Sequence, residues 1–335
     1  MFQSRQIQYF QIIDTAYYLD THILLATPET MSKKIGVKWK AENMPSQEGK
    51  VAIITGANTG IGYHMAIGLV KKKASVILAC RNLVKAEEAK QKILSSVPDA
   101  DITIQELDLA NLSSVEEFSH KISSSYQQID ILINNAGVMI PPKSTTKDGF
   151  ELQIGTNHLG HFALTYHLLP LLSRASSGRV VTLSSIAHWF GEIDFDDING
   201  LEKKYDKWGL YSQSKLANLL FALELHRRLK AAGSSVESFA SHPGYSNTDL
   251  QRYSLTWRIL NVFFAMRPVK GAAPTLYAAT ESDASSYRYW GPVGLFEARG
   301  WTGKAKITTL ASNEEVANRL WKLSEDLTGI QFVID

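Results

Sequence analysis

Tyr211 and Lys215 stand four residues apart in the stretch GLYSQSKLAN, residues 209–218. This spacing places both side chains on one face of a helix. A free tyrosine has a pKa near ~10, and a neighbouring ammonium group stabilises the phenolate. The pair could therefore exchange a proton with a substrate oxygen near neutral pH. Taken alone, it is more often an incidental pair of polar residues, so its meaning depends on the rest of the chain.

A second candidate for chemistry is the glycine-rich stretch TGANTGIG, residues 55–62. It lies between a β-branched run, residues 51–55, and a helical stretch that extends to about Lys73. Glycines allow a tight turn, and backbone N–H groups at a helix N-terminus can face a pyrophosphate. A turn without a ligand is the alternative, but the strand that follows favours dinucleotide binding. The predicted cofactor contacts here are Gly56, Asn58, Thr59, Gly60, Ile61 and Gly62.

The cofactor type is predicted from the end of the second apolar run, ILACRN, which places Arg81 and Asn82 after residues 75–80. At this position an acid commonly binds the adenine ribose of NAD, whereas arginine suits the 2′-phosphate of NADP. A solvated arginine at a strand end is the alternative. Because no acid stands nearby, we predict NADP(H).

The elements that would position these residues alternate along the chain. Apolar runs separated by helix-length segments occur at residues 51–55, 75–80, 102–107, 129–133, 179–183 and 236–240. Such runs indicate a parallel sheet covered on both faces. We predict a single doubly wound α/β (Rossmann) domain over residues 49–335, with residues 1–48 as an N-terminal extension. Residues 189–208 and 245–312 are predicted to be insertions that shape a substrate pocket.

Composition limits the partners of this chain. The formal charge is +2, from 35 basic and 33 acidic residues, which gives no global field for nucleic acid. A single cysteine, Cys80, excludes an internal disulfide and is consistent with a cytoplasmic location. Polar residues interrupt the first 30 positions, so we expect neither a transmembrane anchor nor a signal peptide. Met31 is an alternative start.

Six ordered motifs together resemble the short-chain dehydrogenase/reductase family. They are TGANTGIG, NNAG (134–137), NHLG (157–160), TLSS (182–185), YSQSK (211–215) and HPGYSNT (242–248). The stretches ACRN, NHLGHF, SSIAH and YSQSKLANLLF are similar to the retinol-dehydrogenase-like and protochlorophyllide-reductase-like branch. The resemblance covers about residues 36–335.

The resemblance implies a catalytic tetrad. Tyr211 would be the general acid/base, and Lys215 would bind the nicotinamide ribose and favour the phenolate. Ser185 would hold the substrate oxygen, and Asn157 would help a water connect Lys215 to solvent. Without the family resemblance, the sequence would favour a helix-capping or core role for Asn157. Twenty-six positions separate Ser185 from Tyr211, and members of the retinol-dehydrogenase-like branch carry a comparable insertion.

Further cofactor contacts are implied by the same resemblance. Asp108 and Leu109 would flank the adenine, although Asp108 could instead cap the helix that starts near Ser113. The full implied set is Asp108, Leu109, Asn135, Ala136, Gly137, Tyr211, Lys215, Pro243, Gly244 and Thr248.

Other stretches leave alternatives open. The apolar segment 255–271 has three interpretations. We rank a substrate lid first, core packing second and a peripheral membrane contact third. His188, Trp189 and Phe190 follow the proposed catalytic serine and either contact substrate or pack the loop. The histidines lack partners at metal-ligand spacing, so we expect no metal site. The stretch YWGPVGLFEARGW replaces the usual strand ending of the family, which disfavours the usual tetramer, whereas the resemblance implies a homodimer through the helix bearing Tyr211.

These observations predict an NADP(H)-dependent oxidoreductase that interconverts an alcohol and a carbonyl on a small hydrophobic substrate, such as a retinoid, steroid or lipid-like molecule. One alternative is a catalytically silent NADP(H)-binding sensor or scaffold, whose signature would be loss of Ser185, Tyr211 or Lys215. Another is a protochlorophyllide-type double-bond reductase. The position of Cys80 at the cofactor end of the second strand disfavours it, since no cysteine is left to act near a pigment.

Overall fold

A computed structural model describes residues 36–200, 202–244, 268–294 and 296–334 of the chain. Eight strands form one sheet in the order β3-β2-β1-β4-β5-β6-β7-β8, in which only β8 runs antiparallel to its neighbour. The strands are β1 (Val51–Thr55), β2 (Ser75–Cys80), β3 (Ile102–Glu106), β4 (Ile131–Asn134), β5 (Arg179–Leu183), β6 (Glu237–Ser241), β7 (Tyr289–Gly294) and β8 (Arg299–Lys304).

Helices cover both faces of this sheet. They are α1 (Gly60–Val70), α2 (Leu83–Leu94), α3 (Leu112–Ser125), α4 (Gly160–Leu172), α5 (Lys207–Ala231), α6 (Pro268–Thr280) and α7 (Glu314–Thr328). A three-residue helical turn (Leu152–Ile154) and a π-helical turn (Gly155–Leu159) lead into α4. Short 3₁₀ helices lie at Ala41–Asn43, Ile186–Phe190 and Ser282–Ser286.

Strand β1 shows why the central strands are apolar along their whole length. Ala52 and Ile54 pack into a core with α1 and α6, whereas Ile53 packs into the opposite core with α3 and α4. Successive side chains of a strand point to opposite faces, so a strand between two helical layers must be apolar at every position. The doubly wound α/β fold predicted from these runs is confirmed.

The predicted strands are present, with ends within about two residues of those expected. The prediction that residues 245–312 are an insertion is wrong where the structure describes them, because α6, β7 and β8 complete the sheet and its helical cover. The stretch YWGPVGLFEARGW forms β7, part of β8 and the turn between them. Glycine and proline are uncommon in strands, so this stretch does not look like one in the sequence. They are tolerated here because β7 pairs with β6 only through Tyr289 and Trp290.

The C-terminal helix α7 packs on α4 and α5. Trp321 is buried and lies 5.2 Å from the ring of Phe162 and 5.8 Å, stacked, from that of Phe221 (centroid distances). The guanidinium of Arg228 lies 4.3 Å from the centroid of the Trp321 ring. The same chain thus covers a face of the helix that carries Tyr211.

This packing bears on the expected dimer. Every residue from Leu210 to Leu225 is buried within the single chain. A helix that is buried all round has no free surface for a second copy. The middle of α5 is therefore not available as the dimer contact that the family resemblance implied.

Candidate active site

Helix α5 brings Tyr211 and Lys215 to the carboxyl end of the sheet. Asp206 begins the helix, since its side chain accepts a hydrogen bond from the backbone N–H of Trp208 at 3.0 Å. The hydroxyl of Ser184, at the end of β5, donates to the backbone carbonyl of Lys215 at 2.7 Å. These contacts fix the register of α5 against β5, and they give Ser184 a structural role beside Ser185.

The side chains of Ser185 and Tyr211 lie close together. Burial raises the pKa of Tyr211 to about 12, and the hydrogen bond with Ser185 opposes this rise. Ser185 begins the 3₁₀ helix Ile186–Phe190, and its hydroxyl accepts the backbone N–H of Ala187 at 3.2 Å. The structure thus brings two of the four predicted catalytic residues close together.

Lys215 lies close to this pair but does not contact the Tyr211 hydroxyl. Its Nζ is 5.9 Å from the centroid of the Tyr211 ring and donates to the backbone carbonyl of Leu183 at 3.3 Å. Burial lowers the pKa of Lys215 to about 8. Burial is the largest influence on the pKa of Tyr211 in this geometry.

Asn157 lies at the centre of the π-helical turn, where its side chain is fully buried. Its Oδ1 accepts the backbone N–H of Val138 at 2.7 Å, while Nδ2 donates to the Val138 carbonyl and to the Ser214 hydroxyl, both at 3.0 Å. Ser214 in turn donates to the carbonyl of Tyr211 at 2.8 Å. Asn157 therefore links the segment after β4 to the catalytic helix, and π-helical turns are frequent at functional sites.

A buried network joins Asn157 to the start of the glycine loop. His161 Nδ1 lies 2.9 Å from the carbonyl oxygen of Asn157, and its Nε2 lies 2.9 Å from the Thr55 hydroxyl. A carbonyl only accepts, so Nδ1 carries the proton and Nε2 accepts from Thr55. Burial lowers the pKa of His161 to about 4, which keeps it neutral. The Thr55 hydroxyl also accepts the backbone N–H groups of Asn135 and Ala136, at 2.9 and 2.8 Å.

Thr55 and His161 were not predicted as site residues. Thr55 was counted only as the end of a strand, and His161 only as one of several scattered histidines. A usable signal was present, because His161 follows Asn157 by four positions and so lies on the same helical face.

The glycine loop has the shape of a cradle for a phosphate. Gly56 and Gly60 have positive φ angles, 65° and 59°, in the region that favours glycine. A Cβ on Gly62 would lie 2.6 Å from the side-chain nitrogen of Asn135 and 2.6 Å from the carbonyl oxygen of Gly56. Asn58, Thr59 and the glycines around them keep some exposure, whereas Ile61 is buried in the core. The loop ends at the N-terminus of α1, where the first N–H groups have no intrahelical partner.

Arg81 and Asp108 lie together at the ends of β2 and β3. Arg81 Nη1 is 3.8 Å from Asp108 Oδ1, with 64% of the arginine side chain exposed. Asn82 caps α2 by accepting the Lys85 N–H at 2.9 Å. Asp108 accepts the Ala110 N–H at 3.0 Å and does not cap α3, whose N-cap is Asn111. Leu109 is buried beside this pair.

The backbone segment 135–137 completes the cofactor side. A Cβ on Gly137 would lie 3.0 Å from Asn157 Oδ1 and 3.6 Å from Lys215 Nζ, so Gly137 allows the backbone to approach both. Pro243 and Gly244 follow β6 and are half-buried, next to the end of β5. Thr248 and residues 255–267 of the expected lid lie outside the described residues.

The last three residues of the 3₁₀ helix Ile186–Phe190 differ in role. His188 is buried, and its Nδ1 lies 2.7 Å from the carbonyl oxygen of Ser185. It therefore packs the loop and holds the backbone of Ser185 in place. Trp189 is half-buried, while Phe190 is 76% exposed and free to contact a ligand. Among the described residues, no three His, Cys, Asp or Glu side chains are arranged to hold a metal ion. Across the same ranges no helix is both long and apolar enough to span a bilayer.

Comparison with known proteins gives this geometry a family. The model of the short chain dehydrogenase family matches residues 50–259. Mouse retinol dehydrogenase 12 is 41% identical over 290 residues, covering 85% of this chain and 88% of the relative. Human retinol dehydrogenase 13 is 42% identical over 294 residues, covering 84% and 86%.

A solved structure gives the same result. The crystal structure of an uncharacterized protein from Mycobacterium paratuberculosis is 42% identical and superposes with a TM-score of 0.76, covering 89% of this chain and all of that one. The fold, the match over most of the sheet and the identity to two curated relatives agree. The chain belongs to the short-chain dehydrogenase family of oxidoreductases, with retinol dehydrogenases among its relatives.

Proposed function

We propose that this protein is an NADP(H)-dependent oxidoreductase that interconverts an alcohol and a carbonyl on a small hydrophobic substrate. The observation that carries the proposal is the convergence of the Ser185 and Tyr211 hydroxyl groups, with Lys215 behind them, at the carboxyl end of β5. In open α/β sheets, ligands bind beyond the carboxyl ends of the strands.

The roles of the side chains follow from their chemistry. When bound, NADPH supplies a hydride to the carbonyl carbon. Ser185 would hold the carbonyl oxygen by a hydrogen bond, and Tyr211 would donate its proton to that oxygen. Because burial raises the pKa of Tyr211 to about 12, the phenol is protonated at neutral pH, as reduction requires. Lys215 would hold the nicotinamide ribose.

NADP(H) rather than NAD(H) is supported by the adenine end of the site. The residues fit a dinucleotide, because the glycine loop leaves no room for a Cβ at Gly62 and presents a helix N-terminus. Arg81 is largely exposed there, and its ion pair with Asp108 at 3.8 Å would be shared with or replaced by a 2′-phosphate. A 2′-phosphate would complement the arginine.

A hydrophobic substrate is supported by Phe190 and by the names of the relatives. Phe190 stands five residues after Ser185 with 76% of its surface exposed. The two curated relatives are retinol dehydrogenases. An apolar carbonyl, such as a retinoid, suits this combination.

The test is NADPH oxidation by the purified protein against retinals, steroid ketones, aliphatic aldehydes and quinones. We expect turnover with at least one apolar carbonyl and a loss of at least about a hundredfold in kcat for Tyr211→Phe, because proton transfer by a positioned side chain contributes ~10²–10⁴-fold. Tyr205→Phe is a matched control, since Tyr205 contacts Glu151 and the Pro141 carbonyl instead of the site.

Two results would overturn the proposal in different ways. Equal turnover by wild type and Tyr211→Phe would remove the assigned acid. Tight NADPH binding without turnover of any carbonyl would replace the enzyme with the sensor or scaffold alternative.

A further inference from the structure

The turn between β7 and β8 reaches back to the loop that follows β6. Glu297 stands in this turn with a positive φ of 59°, an unusual backbone conformation for a residue with a side chain. Its Oε2 lies 3.4 Å from Nε2 of His242, and both side chains are more than nine-tenths buried. Its Oε1 accepts the backbone N–H of Lys306 at 2.9 Å. A buried carboxylate is thus directed at the first residue of the HPG loop, residues 242–244.

The hydrogen bonds define the protonation of His242. Nδ1 accepts the backbone N–H of Gly244 at 3.2 Å, so it carries no proton. The proton of the neutral ring is then on Nε2, which faces Glu297. At 3.4 Å the two atoms form no hydrogen bond, so the carboxylate acts on the ring through its charge and favours the tautomer whose Nε2–H faces it.

The rest of the hairpin holds the same loop from other sides. The backbone N–H of His242 donates to the carbonyl of Trp290 at 2.9 Å. The imidazole lies against Gly291, where a Cβ would be 2.0 Å from Nε2. Gly244 has a φ of 65°, and a Cβ there would lie 2.6 Å from the carbonyl oxygen of Ala298. No side chain larger than hydrogen fits at either glycine without displacing the loop or the hairpin.

The loop is also adjacent to the catalytic serine. The backbone N–H of Ser184 donates to the Ser241 carbonyl at 2.8 Å, which ties the end of β5 to the residue before His242. The Tyr289 ring lies between the rings of His188 and His242, at centroid distances of 5.4 and 5.2 Å. His188 contacts the carbonyl of Ser185. One continuous set of side chains therefore supports both Ser185 and the HPG loop.

We propose that Glu297 is a positioning residue that acts through His242 to fix the HPG loop at the nicotinamide end of the cofactor site. This inference rests on the proposed function and on the family resemblance, which implies that Pro243 and Gly244 border the nicotinamide. Glu297 acts on the loop through the ring of His242. Its effect is to hold the loop in the conformation that binds the cofactor, so its loss should weaken cofactor binding more than it slows the chemical step.

Glu297→Gln tests the proposal at nearly constant shape. The amide can still accept from Lys306, but its NH₂ group then faces the Nε2–H of His242, so two donors meet. Moving the proton to Nδ1 would remove the acceptor for Gly244. We expect Kd and KM for NADPH to rise about tenfold, and kcat to change by less than about threefold. Kd is measured from the nicotinamide fluorescence of bound NADPH.

Glu237→Gln is the matched control. Glu237 begins β6, at the opposite end of the strand from His242, and pairs with Arg288 at 2.9 Å and Ser285 at 2.6 Å. This variant also loses a carboxylate that is bonded within the fold, so thermal unfolding should record destabilisation in both variants. Only Glu297→Gln is expected to change Kd for NADPH by more than about twofold.

His242→Asn provides a second route, including the case in which Glu297→Gln does not fold. An asparagine oxygen can still accept from Gly244, but the shorter side chain does not reach Glu297. We expect the same rise in Kd, and no further rise beyond about twofold when Glu297→Gln is added, because both changes break one contact. Wild-type Kd in either single variant, or additive effects in the double variant, would overturn the proposal. Failure of the wild type to bind NADPH would instead overturn the proposed function.

Discussion

Lys215 carries a positive charge in a buried setting, and this has a measurable consequence for stability. Burial lowers its pKa to about 8 in the folded protein, from near 10.5 in an unfolded chain. Below pH 8 both states hold the proton, and the cost of burying the charge is fully present. Between pH 8 and 10 the folded state releases the proton while the unfolded state keeps it, so stability rises with pH.

We expect Lys215→Met to remove this gain. Relative to the variant, the wild type should gain about 2 kcal/mol in free energy of unfolding between pH 8 and 10, measured by urea unfolding without cofactor. Ionisation of Tyr211, whose raised pKa lowers stability as the pH rises through about 10, occurs in both proteins and cancels in the difference. Lys230→Met, which changes an exposed lysine on the same helix, should retain the wild-type pH dependence. A parallel pH dependence in wild type and Lys215→Met would contradict the assignment.

Arg81 sets the preference for NADP(H) over NAD(H) if its guanidinium forms an ion pair with the 2′-phosphate. Arg81→Asp should raise the Kd for NADPH on the order of tenfold to a hundredfold and leave the Kd for NADH unchanged or lower. Lys92→Asp, a charge reversal at an exposed position in the last turn of α2, controls for the general field. If the two reversals weaken NADPH binding equally, Arg81 has no specific role and the preference for NADP(H) fails.

The residues that could be predicted from the sequence are those whose meaning comes from short motifs. Ser185, Tyr211 and Asn157 belong to such motifs, and the structure brings Ser185 and Tyr211 into contact and links Asn157 to the helix of Tyr211 through Ser214. Thr55 and His161 act through a contact across 106 positions of sequence. No local pattern reports such a pairing, because the bond exists only once the sheet has placed β1 beside the segment after β4.

At the scale of elements, the predicted strands were those buried on both faces. A strand between two helical layers must be apolar throughout, which makes β1, β2 and β5 visible as runs of Val, Ile and Leu. Strands β7 and β8 were not predicted because they form a hairpin at the edge of the sheet, with four glycines and a proline in YWGPVG and RGWTGK. Pairing at an edge tolerates such residues, so hydrophobicity alone does not identify these strands.

The helices show the same distinction between local and distant signals. Helix α7 has local signals, since Asn313 caps it by accepting two backbone N–H groups and Gly329 ends it with a φ of 70°. Its sequence alone does not indicate which helices α7 packs against. The aromatic contacts of Trp321 with Phe162 and Phe221 are set by the fold as a whole.

For the whole molecule, α7 decides whether the catalytic helix has a free face. Trp321 is 2% exposed and packs on α4, α5 and Phe332. Trp321→Ala should lower the free energy of unfolding by about 3–5 kcal/mol, as expected for a large side chain removed from a core. The loss also loosens the cover over Phe162 and Phe221, so the variant should associate through this apolar face.

Urea unfolding and light scattering on a sizing column measure the two effects. Phe190→Ala is the control, because this aromatic residue is 76% exposed, and its loss should change stability by no more than about 0.5 kcal/mol. We expect the wild type and Phe190→Ala to have the same mass in solution, and Trp321→Ala to form larger species. If Trp321→Ala keeps both the wild-type stability and the wild-type mass, α7 does not seal the face of the catalytic helix, and the α4–α5 surface is again open to a second copy of the chain.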